Sequence, residues 1–328
     1  MPNYNGVWSL STQYQYAADW AADNPTDFNR AIFAGGISSS TIVDVIQFVT
    51  IATTGNSTDF GNLTDSGRTT GSGCSSSTRG IFSGGKRSGN KDIIDYVTMS
   101  SAGNATDFGN ISIAAAYTAS ASSNLRGIIA LGYTNATVNI IEYITIANTG
   151  NTTDFGNLLQ TMGYGAALAS PTRALIAGGF DSVTANAALD VIQYITIAST
   201  GNATDFGNLI SARLYLAGGI SSNTRGIFSG GNASDAVINN IEYVTIASTG
   251  NATDFGNLTV ARESPVGTSS TTRGLIGGGS TSAYGGTGNQ NVIDFITIAS
   301  TGNASDFGDL LAVTAEMSAC STNHGGIA

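Results

Sequence analysis

Thr272-Arg-Gly-Leu-Ile-Gly-Gly-Gly279, Val292-Ile-Asp-Phe-Ile-Thr-Ile-Ala299 and Asn303-Ala-Ser-Asp-Phe-Gly-Asp309 are three pieces that recur, in this order, six times along the chain. The repeat is about 48 residues long, and a period of that size marks a stacked or circular array. Arg30, Arg79, Arg126, Arg173, Arg225 and Arg273 each stand six positions before a glycine, without variation. A second spacing is equally strict. Twelve residues separate Phe48, Tyr96, Tyr143, Tyr194, Tyr243 and Phe295 from Phe60, Phe108, Phe155, Phe206, Phe255 and Phe307.

Within each unit, β-branched runs such as Ile241-Glu-Tyr-Val-Thr-Ile246 are bounded by Gly, Asn and Ser clusters that favour turns. Each unit therefore reads as four short strands, a to d in chain order. Strand b is Gly226 to Gly231, c is Ile241 to Ile246 and d is Asp254 to Thr259, while a is the small-residue stretch before the next arginine. Strand c is apolar on both faces except at one polar position: Gln47, Asp95, Glu142, Gln193, Glu242 and Asp294. Both faces of each small sheet then need cover, which sheets stacked around an axis supply. The fold expected is an all-β, six-bladed propeller over residues 30–328. The first b strand, Ala31 to Gly36, has no a strand before it, and the chain ends in an a strand. The segment Ala315 to Asn323 is thus expected to become the inner strand of blade 1 and close the ring, removing its open edges. A seven-bladed count would need Val7 to Tyr16 as strands.

Composition excludes several classes. Glycine is 43 of 328 residues and charged residues are 10%, which rules out helical bundles. No apolar run approaches the roughly 18 residues of a membrane helix, and Met1 to Asn5 lacks the start of a signal peptide. A net charge of −10 with 12 Lys plus Arg argues against nucleic acid or an anionic membrane as partner. Cys74 and Cys320, in non-neighbouring repeats, read as free thiols, and one histidine, His324, leaves no His-rich metal site. No cofactor or metal is expected.

Arg-Gly-Ile-Phe-Ser-Gly-Gly231, the Glu-Tyr pair of strand c and Asp-Phe-Gly-Asn-Leu-Thr-Val-Ala-Arg262 together resemble the kelch repeat, with Phe where that family carries Trp. The resemblance covers residues 30–328 and implies fold more than function. The Thr-Ile-Ala-Ser-Thr-Gly-Asn-Ala-Thr-Asp-Phe-Gly-Asn-Leu repeats and the Gly6-Val-Trp-Ser-Leu10 lead-in are similar to virion structural proteins of marine bacteriophages. The Asp-x-Gly turns at Asp59, Asp107, Asp154, Asp205, Asp254 and Asp306 also resemble the Asp box of six-bladed sialidases, without its flanking Ser and Trp.

Few residues invite chemistry. The aspartates are expected to accept hydrogen bonds from turn amides. The six register arginines are expected to pair with acids such as Glu142, Glu242 or Asp294, although a carboxylate clamp is the functional alternative. Asn-x-Ser/Thr at Asn56, Asn104, Asn151, Asn202, Asn251 and Asn303 reads as a turn rather than a glycosylation site. The b–c connections, by contrast, differ in length and chemistry. They lie at the same end of the disc as the d–a turns, so one face is variable and is the expected recognition surface. Its distinctive residues are Lys86, Arg87, Lys91, Tyr133 and Tyr284. Residues 1–29 hold Trp8 and Trp20, and Thr12 to Ala22 reads as a short amphipathic helix, with Trp8, Tyr14 and Trp20 as docking residues. The function expected is that of a non-enzymatic phage tail, fibre or capsid appendage. It would assemble in the host cytoplasm with other virion proteins, and with further copies of itself, and bind a host-surface glycan. A sialidase-like glycosidase and a free multivalent lectin are the alternatives.

Overall fold

The computed structural model describes residues 29–284 and 287–327. Six antiparallel four-stranded sheets form the blades of a β-propeller. Blade 1 takes strand a from the C-terminal segment (Ser318–Ser321), then b (Arg30–Ala34), c (Val45–Thr50) and d (Thr58–Asn62). Blade 2 runs Ser72–Ser75, Arg79–Ser83, Lys91–Thr98 and Thr106–Ala115; blade 3 runs Ala119–Ser122, Arg126–Ala130, Val138–Thr145 and Thr153–Met162. Blade 4 runs Ala166–Ala169, Arg173–Ala177, Val191–Thr196 and Thr204–Asn208. Blade 5 runs Ala217–Ser221, Arg225–Ser229, Asn240–Thr245 and Thr253–Asn257, and blade 6 Val266–Ser269, Arg273–Gly277, Val292–Thr297 and Ser305–Asp309.

Ring closure follows the sequence reading, with Ala31 opposite Ser321 and Ala34 opposite Ser318. The two-faced apolarity of strand c is resolved as stacking: six separate cores each fill the gap between two adjacent blades. Ile46, Phe60 and Leu63 of blade 1, for instance, meet Phe82, Val97 and Met99 of blade 2. Closure also corrects the placement of the cysteines. Cys320 enters blade 1, so its strand lies beside that of Cys74 in blade 2 rather than in a remote blade, and both remain buried free thiols. Burial raises both, Cys74 to about 12.

The two rigid spacings have one structural cause. Each register arginine lies over its own blade's strand c ring, 4.3–4.8 Å from the centroid. The Phe twelve residues on meets that ring edge-on at 5.9–6.2 Å. Such cation–π contacts contribute about 0.5–2 kcal/mol each, more where desolvated. Each guanidinium also donates Nη1 to a carbonyl just past strand c of the next blade, such as Arg30 to Met99 and Arg273 to Ile51, at 2.8–2.9 Å. The expected pairing of these arginines with Glu142, Glu242 or Asp294 is therefore wrong. Ring faces and carbonyls lie within their reach, and the acids are engaged elsewhere.

Among the described residues there is no helix. The helix expected over residues 12–22, the docking residues Trp8, Tyr14 and Trp20, and the alternative seventh-blade strands at Val7 to Tyr16 lie outside the described residues.

Candidate functional site

The antiparallel blades place the a–b turns and c–d hairpins at one end of the disc and the b–c and d–a connections at the other. The first end is stitched shut. Each c–d hairpin offers an Asn Oδ1 to a strand d amide of the preceding blade, as in Asn62 N to Asn104 and Asp309 N to Asn56, at 3.0–3.1 Å. The Asn-x-Ser/Thr sites thus serve as turns that also join blades. The neighbouring Asp-Phe-Gly is a β-bulge: Gln47 faces Asp59 while Ile46 faces Gly61, which leaves Phe60 as the extra, buried residue. The six aspartates stand exposed at these bulges and take no part in the stitching, contrary to the turn-acceptor role expected of them.

At the axis of this end, strand a serines bond from blade to blade. Ser75 Oγ donates to Ser321 O, Ser321 to Ser269, Ser269 to Ser221 and Ser221 to Ala169. The C-terminal tail then crosses the opening. Gly325 N donates to Ser221 O, and the His324 ring lies 3.2 Å from Ser122 Oγ through Nε2, while Nδ1 accepts from Gly326 N at 3.0 Å. An accepting Nδ1 places the neutral ring's proton on Nε2. Burial lowers the His324 pKa to about 4.

The opposite end is open. Thr70, Tyr117, Tyr164, Tyr215, Ser264 and Glu316 occupy equivalent positions just before strand a, and all six are left-handed, with φ between 51° and 64°. Their backbones form a closed ring of hydrogen bonds, each amide donating to the carbonyl of the preceding blade's equivalent residue. Left-handed backbone costs roughly 1–2 kcal/mol per non-glycine residue, so this mouth keeps side chains where glycine would be less strained. Such a pattern points toward function. The tyrosine rings cluster, Tyr117 to Tyr164 at 3.9 Å and Tyr164 to Tyr215 at 5.1 Å. Burial first, and the Glu316 charge second, raise the Tyr117 phenol, and burial likewise raises Tyr164 and Tyr215. Burial raises the Glu316 carboxyl too, against a Thr69 hydrogen bond and the nearby Lys86 charge.

The mouth runs into a groove of about 580 Å³ across blades 4, 5 and 6, bordered by Tyr164, Phe180, Tyr215, Asn232, Asp235 and Tyr284. Of the variable-face residues picked from sequence, Tyr284 lines this groove, 60% exposed, with its hydroxyl donating to Asp235 Oδ1. The Tyr133 ring lies 6.3 Å from that of Tyr164. Lys86, Arg87 and Lys91 sit apart on blade 2, where Arg87 donates to Ser66 O and Lys91 faces Asp65 at 3.9 Å. Sequence reasoning missed Tyr117, Tyr164 and Tyr215, although an aromatic at one repeat register in three successive units was a usable signal. Asp235 and Phe180 gave none, because groove membership depends on neighbouring blades. Among the described residues no cluster of His, Cys, Asp or Glu is arranged to hold a metal ion, and no helix is long and apolar enough to cross a membrane. Compared with known proteins, the chain matches no family model and no curated protein.

Proposed function

We propose that this chain is a kelch-like, non-enzymatic virion appendage that presents its open face to a glycan on the host surface. The carrying observation is the division of labour between the two ends. At one, an arginine, an asparagine and a glycine of every repeat bond to an adjacent blade; at the other, left-handed positions hold tyrosines around a groove whose walls differ from blade to blade. Large rings beside a few polar groups are what a ligand site needs, and a rigid scaffold with variable loops suits recognition. The resemblance of the Asp-Phe-Gly-Asn-Leu repeats to phage virion proteins supplies the setting. A sialidase reading needs free arginines, whereas the register arginines are committed to rings and carbonyls.

Immunogold labelling of purified virus particles with antibody against this chain tests the proposal. Gold at a fixed tail or capsid position supports it. Protein found only in the soluble fraction, with clean particles, overturns the appendage assignment.

A further inference from the structure

We infer that the groove across blades 4 to 6 is a binding site for a neutral pyranose-containing oligosaccharide and excludes anionic sugars; this rests on the glycan-binding reading above and names its site and ligand class. Three observations carry it. First, Tyr164 stands at 78° to Tyr215 and 83° to Phe180, with ring centroids 5.1 and 6.4 Å away. The walls therefore combine ring faces and edges, against which the C–H face of a chair can lie. Second, Asn232 is fully buried in the groove wall and its Nδ2 donates to Glu263 at 2.9 Å, while its Oδ1 has no partner. An unsatisfied buried acceptor costs about 1–3 kcal/mol unless a donor meets it, and a sugar hydroxyl meets this one once the Asn232 amide turns toward the groove, since Oδ1 is closed to solvent in the free protein. Asp235, exposed at the tip of the blade 5 hairpin and already accepting from Tyr284, adds a second acceptor at the rim.

Third, acids predominate around the groove. Glu263 and Glu316 lie near Tyr215 and Asp235 beside Tyr284, Arg213 is buried against Glu242, and the chain carries −10 overall. A sialic or uronic carboxylate entering there meets repulsion, and Lys86, whose charge acts on Glu316, is not among the residues that line the groove. A small quaternary ammonium would suit rings and carboxylates. Yet about 580 Å³ is far more room than such a headgroup fills, and it offers no hydrogen to Asn232.

The test is saturation-transfer NMR and calorimetry of the full chain with lactose, cellobiose, mannobiose, 3′-sialyllactose and choline. The expected result is binding of at least one neutral disaccharide. Tyr284→Ala and Asp235→Asn should each weaken it about tenfold or more, the loss typical of a true contact residue. Both positions are exposed, so the variants keep the fold, and Leu125→Ser, at the stitched end, should leave affinity unchanged. Binding of 3′-sialyllactose or choline in preference to every neutral sugar overturns the inference. So does an absence of neutral-sugar binding, or neutral-sugar binding that neither groove variant alters. Particle labelling fails or succeeds independently of these results, which separates this inference from the appendage assignment.

Discussion

The stitched end and the open end of the disc are built from the same six repeats, yet they spend their side chains differently. At the stitched end an arginine, an asparagine and a glycine of every unit bond to an adjacent blade, and the tail of Thr322 to Ile327 lies across the axis. At the open end a backbone ring runs through the left-handed positions, and the side-chain bonds between blades differ from one boundary to the next, as in Asn90 to Tyr133 O, Thr137 to Ser182 and Asn289 to Ile37 O. Repetition marks what holds blades together. Departure from repetition marks where one blade's surface differs from the next.

Removing the closing strand is the most severe way to break this contrast. A chain ending at Met317 loses the four pairs between Ser318–Ser321 and strand b of blade 1, the serine bonds, and the tail. It exposes a sheet edge and the core where Phe33 meets Leu275 and Phe307. Loss of the cooperative thermal transition and rapid proteolysis are expected. A truncated chain that melts like the full one would show that the ring does not depend on closure.

Next in size are the bonds between strand c and the preceding blade. The polar position of strand c accepts from a d–a arginine at three boundaries: Asp95 from Arg68, Glu242 from Arg213 and Asp294 from Arg262. At two others, where no arginine comes, the position is Gln47 or Gln193 and accepts an amide of Leu311 or Leu159. Glu142 alone is a buried acid met only by Ser112. Arg262→Met leaves the buried Asp294 carboxylate without its cation, held only by the Thr259 amide and hydroxyl, and should cost about 3 kcal/mol in chemical denaturation. Adding Asp294→Leu should recover most of that, because Arg262 Nε and Nη1 have no partners even in the intact latch. Glu142→Gln should change stability by less than about 1 kcal/mol, since its neighbours at this boundary already resemble those of Gln193.

These latches also explain how far the sequence could be read. Fixed spacings revealed blades, count and closing strand, because each strand's period and turns are local, and the observed strands fall within a few residues of those expected. The partners of the repeated residues were not legible. An arginine in strand b and an acid in strand c look like a pair within one unit, whereas the acid reaches backward to the preceding blade and the arginine forward to a carbonyl. The groove was harder still: Tyr284 was visible as an oddity in a long loop, but its neighbours Asp235 and Phe180 come from two other blades.

The tail offers a milder perturbation, through pH. His324 titrates near 6.5 when unfolded and at about 4 in the fold. The unfolded chain therefore binds the extra proton between these values, so stability falls as pH drops from about 6.5 to 4, by up to about 3 kcal/mol. Raised Glu316 contributes with the opposite sign, since a carboxyl that protonates more readily when folded favours the fold as pH falls. The difference between wild type and His324→Gln isolates the histidine: it should shrink steadily through that window. A difference that stays flat with pH would mean the imidazole does not seal the stitched end as a neutral group.

The smallest expected effect separates strain from function within the mouth. Ser264→Gly relieves one left-handed residue at the cost of glycine's extra unfolded-state entropy, so a gain of no more than about 1 kcal/mol is expected. Ser264 does not line the groove, so sugar affinity should hold. Tyr164→Gly relieves the same strain, φ 64° against 51° at Ser264, but removes a ring that packs on Tyr117 and borders the groove. The lost contacts with Tyr117, Tyr215 and Phe180 outweigh that relief, so stability should fall by about 1 kcal/mol, while neutral-sugar binding falls about tenfold or more. If both variants gain stability and both still bind, the left-handed tyrosines serve the ring rather than a ligand. If only Tyr164→Gly loses binding, the strain at the open end is retained for what the side chain contacts, a role for which the stitched end has no counterpart.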